Sequence, residues 1–235
     1  MKNLVIYCLL IFFNLNCYSQ SKEECFSNLS IFAEYAKVKN YDAAYEPWLK
    51  VRGECPDINS AIYVYGERIL KFYIKNSQGN DKDQYEEDLL ELYDEWLKYF
   101  SKSKSGKQQT GKILAIKAQS MLDYKLADPK EIYDVYDEAF KIDPGSFTSP
   151  KGLYNYFKIY FNLYKAGNAS VSLESLFEKY EELTEKFELE MDVYTSKLDV
   201  LIKKEENDDP LSSREAKNKR VYEVNMIACS TYLNN

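Results

Sequence analysis

The chain has 235 residues, 38 acidic against 31 basic side chains for a formal net charge of -7, and no histidine. The missing imidazole excludes Ser-His-Asp and Cys-His catalysis and the common His-containing zinc sites, and the acidic balance disfavours nucleic acid, whose phosphates demand a basic face. Twenty-two Tyr, 12 Phe and 2 Trp beside only 8 Gly and 6 Pro point to a helix-rich, packed chain rather than a disordered one.

Residues 1–19 have the layout of a secretory signal peptide: Lys2, an apolar run from Leu4 to Phe13, and a small-residue end at Ser19. The apolar run is too short for a membrane-spanning helix, which needs about 20 residues. An exported protein, in the periplasm or at the outer membrane, is expected. A lipoprotein acylated at Cys17 is the less favoured route, because Asn16 is bulky where a small residue is wanted. No transmembrane helix is expected after signal removal.

The stretch from Val38 to Pro56 reads as the second helix of a hairpin, with Ala44, Trp48 and Val51 at i, i+4 and i+7 on one helix face. Counting Cys25 as the first position, Ile31 and Tyr35 fall at the apolar places of the preceding helix, and Ala44, Trp48, Val51 and Pro56 at the Ala, aromatic, small-apolar and Pro places of the second. In this pattern the chain resembles the tetratricopeptide repeat (TPR) family, whose unit is a helix-turn-helix of about 34 residues. Phe32 departs from it, standing where the family has a small residue, so a splayed first hairpin is expected. With the signal ending Tyr18-Ser19-Gln20 and the Tyr41 to Trp48 run, the chain looks like the exported TPR proteins of the Bacteroidota. On this register Cys25 and Cys55 lie at the same end of one antiparallel hairpin, which suggests a disulfide; two separate buried thiols are the alternative. Cys229 is left as a small core residue.

Further along, Asp57 is a candidate cap for a helix starting near Ser60, in which Tyr65, Gly66 and Ile69 take first-helix places. A polar insert from Asn76 to Lys82 precedes a second helix marked by Asp83 and Glu86, with Leu89, Tyr93 and Trp96 on its face. After the linker from Ser101 to Gly106, a third unit carries Asp128 as N-cap, Pro129 and Glu131 in the first turn, and Ile132, Tyr136 and Ala139 inward. A fourth starts at Ser149-Pro150, turns at Gly167-Asn168 and shows Leu176, Tyr180 and Leu183. The central aromatics Trp48, Tyr93, Tyr136 and Tyr180 recur at intervals of 45, 43 and 44 residues, longer than the family unit and overlapping the roughly 40 to 47 of HEAT-type arrays.

From Leu173 to Leu201 apolar residues alternate in steps of four and three, predicting one long helix ending by Pro210, followed by a helix that Ser212 and Glu215 box. A hairpin packed within the chain is the favoured reading of residues 172–235; a homo-oligomer through an intermolecular coiled coil at 173–201 is the alternative. The acidic run Glu181 to Glu190 reads as the wet side of this helix. The cluster Asn80 to Glu87 lacks the Gly and Glu of a calcium loop in register.

The expectation is therefore an all-α chain: residues 20–171 as tandem antiparallel hairpins in a right-handed, TPR-like superhelix, continued by the C-terminal hairpin. No catalytic, cofactor or metal residue is expected. What the resemblance implies is a non-enzymatic scaffold or adaptor that holds a protein partner on a concave face, with Tyr63, Glu67 and Lys71 at its partner-facing positions. The rival is a receptor for a small ligand, such as a glycan, on Tyr and Trp surfaces.

Overall fold

A computed structural model describes residues 22–234; the leader reading lies outside them. All regular structure among the described residues is helical. It comprises α1 (22–37), α2 (Tyr41–Glu54), α3 (Ala61–Asn76), α4 (Gly79–Phe100), α5 (Thr110–Tyr124), α6 (Pro129–Ile142), α7 (Pro150–Lys165), α8 (Leu173–Glu206) and α9 (Ser213–Leu233). The chain divides into two compact units, one through Ser101 and one from Lys102.

Four of the turns between consecutive helices close in the same way. Asn40 N–H donates to the Tyr35 carbonyl, Leu126 to Met121, Asn168 to Leu163 and Asp209 to Lys204, each across one residue at positive φ: Lys39, Lys125, Gly167 and Asp208. This is the Schellman stop, which satisfies carbonyls left over at a helix end. The starts are equally local: Asn40, Asp128, Ser149, Ser172 and Ser212 each accept a first-turn backbone N–H, with full capping boxes at the last two.

In the first unit a Cys25–Cys55 disulfide ties α1 to the end of α2, with Cα atoms 6.3 Å apart. It turns Cys25 inward, and the residues seven and eleven further on, Phe32 and Ala36, follow it into the core. Ile31 and Tyr35 are therefore exposed, one step off the expected register. Phe32 is fully buried, its ring edge-on to Tyr65 at 6.4 Å. Trp48 passes from α2 onto α3, where its Nε1 donates to the Ile62 carbonyl at 2.8 Å. Arg52, buried beneath that indole, donates Nε to Glu95 Oε2 at 2.7 Å and pairs with Asp88, so it pins α2 to α4. Burial works against its charge, but the two carboxylates hold its pKa above the usual value.

Two expected starts move. Asn59, not Asp57, receives the N–H of Ala61 at the head of α3. The helix α4 begins at Gly79, so most of the supposed insert and the Asp83 start signal lie inside it: once the chain leaves Gly79 at positive φ, Asp81 favours the positive first turn.

In the second unit α5 lies against α6 and α7, α6 against α7, and α7 against α8 and α9. The start of α5 is capped from far along the chain: Gly111 N–H donates to Asp143 Oδ2 at 3.2 Å and Lys112 N–H to Ser146 Oγ at 2.9 Å. A Cβ on Gly111 would lie 2.1 Å from the Asp143 carbonyl oxygen, so only glycine fits there. Phe147, in the α6–α7 loop, is fully buried and stacks on Tyr136 at 5.7 Å. The helices α8 and α9 run antiparallel, held by Lys204–Glu215 near the turn, Tyr194 on Tyr222, and Phe187 near Tyr232. Of the seam at 173–201, Phe187, Tyr194, Leu198 and Leu201 are buried within the chain, whereas Leu173, Phe177 and Tyr180 are exposed, so its second half is not available to an intermolecular coiled coil. Glu190 is also buried, paired with Lys186 at 2.6 Å, whereas Glu181, Glu182, Glu185 and Glu188 do face water.

Candidate functional site

The sequence-based partner positions do not form a surface. Tyr63 is fully buried, stacked on Trp96 at 6.1 Å, and its hydroxyl donates to the Pro56 carbonyl at 2.9 Å. Glu67 and Lys71, one turn apart on α3, pair with each other at 2.6 Å. Tyr63 faces inward because Trp96, Tyr99 and Phe100 of α4 pack around its ring. Among the repeat-defining residues, Ala44, Trp48, Val51, Leu89, Tyr93, Trp96, Ile132, Tyr136, Ala139, Leu176 and Leu183 are buried; Tyr180 is not, at 51% exposure. Burial of Trp48 and Trp96 also removes both tryptophans as ligand platforms.

A polar cluster joins α6, α7 and α8. Tyr156 donates to Asp137 Oδ1 at 2.5 Å, Tyr133 to the same oxygen at 3.2 Å, and Lys141 pairs with Oδ2 at 2.6 Å. Lys179 donates to the Tyr156 hydroxyl at 2.8 Å and lies over the Phe140 and Tyr156 rings. Burial opposes the Asp137 charge, yet the hydrogen bonds from Lys141 and Tyr156 hold its pKa below the carboxylate range. Burial and the Asp137 bond raise that of Tyr156. These contacts brace α6, α7 and α8 against one another. Among the described residues no group of His, Cys, Asp and Glu is placed to hold a metal ion.

One concave feature among the described residues of this unit is an apolar groove of about 740 Å³. One wall is α7, with Tyr154, Phe157, Lys158 and Phe161; the other is the start of α8, with Leu173, Phe177, Tyr180 and Thr184; Tyr232, Leu233 and Asn234 close one end. Leu176, Leu183 and Phe187 form its floor, beside a small core of Tyr160, Val171 and Leu176. Leu173, Phe177 and Tyr180 are 53%, 58% and 51% exposed, at i, i+4 and i+7 on one face. Phe161 is also exposed, and Phe157 meets the Tyr180 ring at 5.8 Å. This explains Tyr180: its helical phase is the inward one, but Phe157 of α7 covers only part of its ring.

The walls differ in charge. The sequence of α7 contains Lys151, Lys158 and Lys165 and no Asp or Glu; Lys158 sits over Tyr154 and Lys165 over Phe161, at 5.5 and 5.6 Å from the ring centroids. The start of α8 carries exposed Glu174, Glu178 and Glu181, each one residue past the apolar stripe. Leu173, Phe177, Tyr180, Thr184 and Phe187 are legible in the sequence as the α8 seam, and Leu176 and Leu183 as core; the α7 wall and Tyr232, Leu233 and Asn234 are not. Which part of a seam goes uncovered depends on where the facing helix stops.

What the fold defines is an all-helical protein of two compact units whose second unit holds an open aromatic groove. No protein family model, curated protein or solved structure matches the chain. No helix among the described residues is long and apolar enough to cross a membrane.

Proposed function

We propose that the protein is a non-enzymatic adaptor of the cell envelope, built on TPR-like hairpins stacked as a right-handed array, that holds a segment of a partner protein. The observation that carries this reading is the groove between α7 and the start of α8, where Leu173, Phe177, Tyr180 and Phe161 stay exposed on an otherwise acidic chain. Covering such side chains contributes on the order of 1.5–3 kcal/mol each, and contiguous apolar surface rimmed by charge marks interaction sites. The adaptor reading moves the partner from the α3 surface, where Tyr63 is unavailable, to this groove. Export is supported by the signal-like layout of residues 1–19 and by the Cys25–Cys55 disulfide, a bond that persists in oxidising compartments.

Affinity capture from envelope extracts with the chain from Gln20 onward tests it, run beside the Phe177→Glu variant and a glycan-binding screen. A partner retained by the wild type and lost by Phe177→Glu is the expected result. A saturable sugar with no retained protein would overturn it.

A further inference from the structure

The groove's geometry and charge name the kind of segment it takes, an inference that rests on the adaptor reading above. The helices α8 and α9 pair antiparallel from Lys204–Glu215 to Phe187 and Tyr232, and α9 ends at Leu233. The turns of α8 from Leu173 to Tyr180 lie beyond the described residues of α9, whose Tyr232, Leu233 and Asn234 border the groove. It is there that Leu173, Phe177 and Tyr180 form their exposed stripe, facing Phe157 and Phe161 of α7. From Leu173 to Thr184 the groove extends for about 16 Å at the helical rise, three turns of helix.

We propose that this groove seats an amphipathic helix of about three turns from a partner protein, laid end to end with α9. Its apolar face, spaced i, i+4, i+7, meets Phe177, Tyr180 and Phe161. Its flank towards α7 carries a carboxylate, because Lys158 lines that side, with Lys165 over the Phe161 ring, and neither makes an ion pair among the described residues. Its flank towards α8 carries Lys or Arg, against Glu174, Glu178 and Glu181. Its N-terminus points to Asn234, where the carbonyl end of α9 presents the negative pole of its dipole.

The probe is a hydrocarbon-stapled 14-residue peptide with Leu at the apolar positions, Glu on one flank, Lys on the other and a fluorescent label. A second peptide has the two flanks exchanged. Anisotropy titration against the chain from Gln20 onward is expected to show saturable binding of the first, with the exchanged peptide and the Phe177→Glu variant each at least ten-fold weaker. Phe177 is exposed, so circular dichroism of the variant should match the wild type. Equal binding of the two peptides, or undiminished binding by Phe177→Glu, overturns the proposal. Uptake of decanoate that depends on Phe177, with neither peptide bound, makes the groove a small-molecule pocket and also overturns it. So does light scattering that finds a dimer dissociated by Phe177→Glu, since a second copy is then the occupant. The two readings fail separately: a captured partner kept by Phe177→Glu removes the groove assignment and leaves an adaptor, whereas peptide binding with no captured partner leaves the groove and removes the adaptor.

Discussion

The Trp48 indole rests directly on the backbone of Gly66. A Cβ built there would lie 2.7 Å from Nε1 and 2.8 Å from Cε2 and Cζ2, while the same Nε1 donates to the Ile62 carbonyl one turn earlier. The missing side chain is what lets α2 and α3 meet through the largest residue between them. Gly66→Ala should therefore destabilise the first unit by about 1–3 kcal/mol, as overpacked cores do. The control is Gly53→Ala in α2, where a Cβ meets nothing within 4 Å; it should stabilise by about 0.5–1 kcal/mol through helix propensity. Urea denaturation of both variants checks the pair, and a neutral Gly66→Ala would show that the contact is soft.

Reduction of Cys25–Cys55 frees a loop with a sequence separation of 30, so Cys25→Ser with Cys55→Ser should cost about 3–4 kcal/mol in the chain-entropy account. In the chain from Gln20 onward, denaturing alkylation without reductant should label Cys229 alone. Labelling of all three cysteines would mean that the bridge does not form.

Arg52→Met leaves Asp88 and Glu95 of α4 facing an apolar side chain. A loss of about 1.5–3 kcal/mol is expected from the missing charged hydrogen bonds, and Arg52→Lys should recover little of it, because one ammonium cannot reach both carboxylates as the guanidinium does. Thermal melts of the three proteins compare them directly.

Asp137 gives the second unit an acid limit. Its folded pKa is held below the ordinary 3.8, so its contribution is present above that value and is lost as pH falls through the lower folded one. Asp137→Asn should lower stability at pH 7 and flatten its decline below about pH 4. An unchanged acid slope would remove the Tyr156–Asp137–Lys179 brace from the account.

Cys229 sets a limit at the other end. Burial and the neighbouring Glu190 charge push its thiol up to about 11. Since a raised folded pKa stabilises below the unfolded value, this contribution should be intact below 9.0 and disappear as pH rises through about 11. Thiolate absorbance titrated on the folded chain should place its midpoint near there, and Cys229 should resist alkylation at pH 8.

Local chemistry fixed much of this protein in advance. Asp128 and Pro129 start α6, Ser149 starts α7, Ser212 with Glu215 boxes α9, and Gly167 ends α7, because caps and stops act within a few residues. The period of Ala44, Trp48 and Val51 marked the inward face of α2 for the same reason. The tertiary structure alone decided which faces are covered. Tyr63 is inward because rings of α4 pack on it, Gly111 is capped by Asp143 across 32 residues of chain, and Tyr180, in phase with the core, is exposed beyond the described turns of α9. Helical phase is a property of neighbours in sequence, whereas burial depends on the reach of elements distant along the chain.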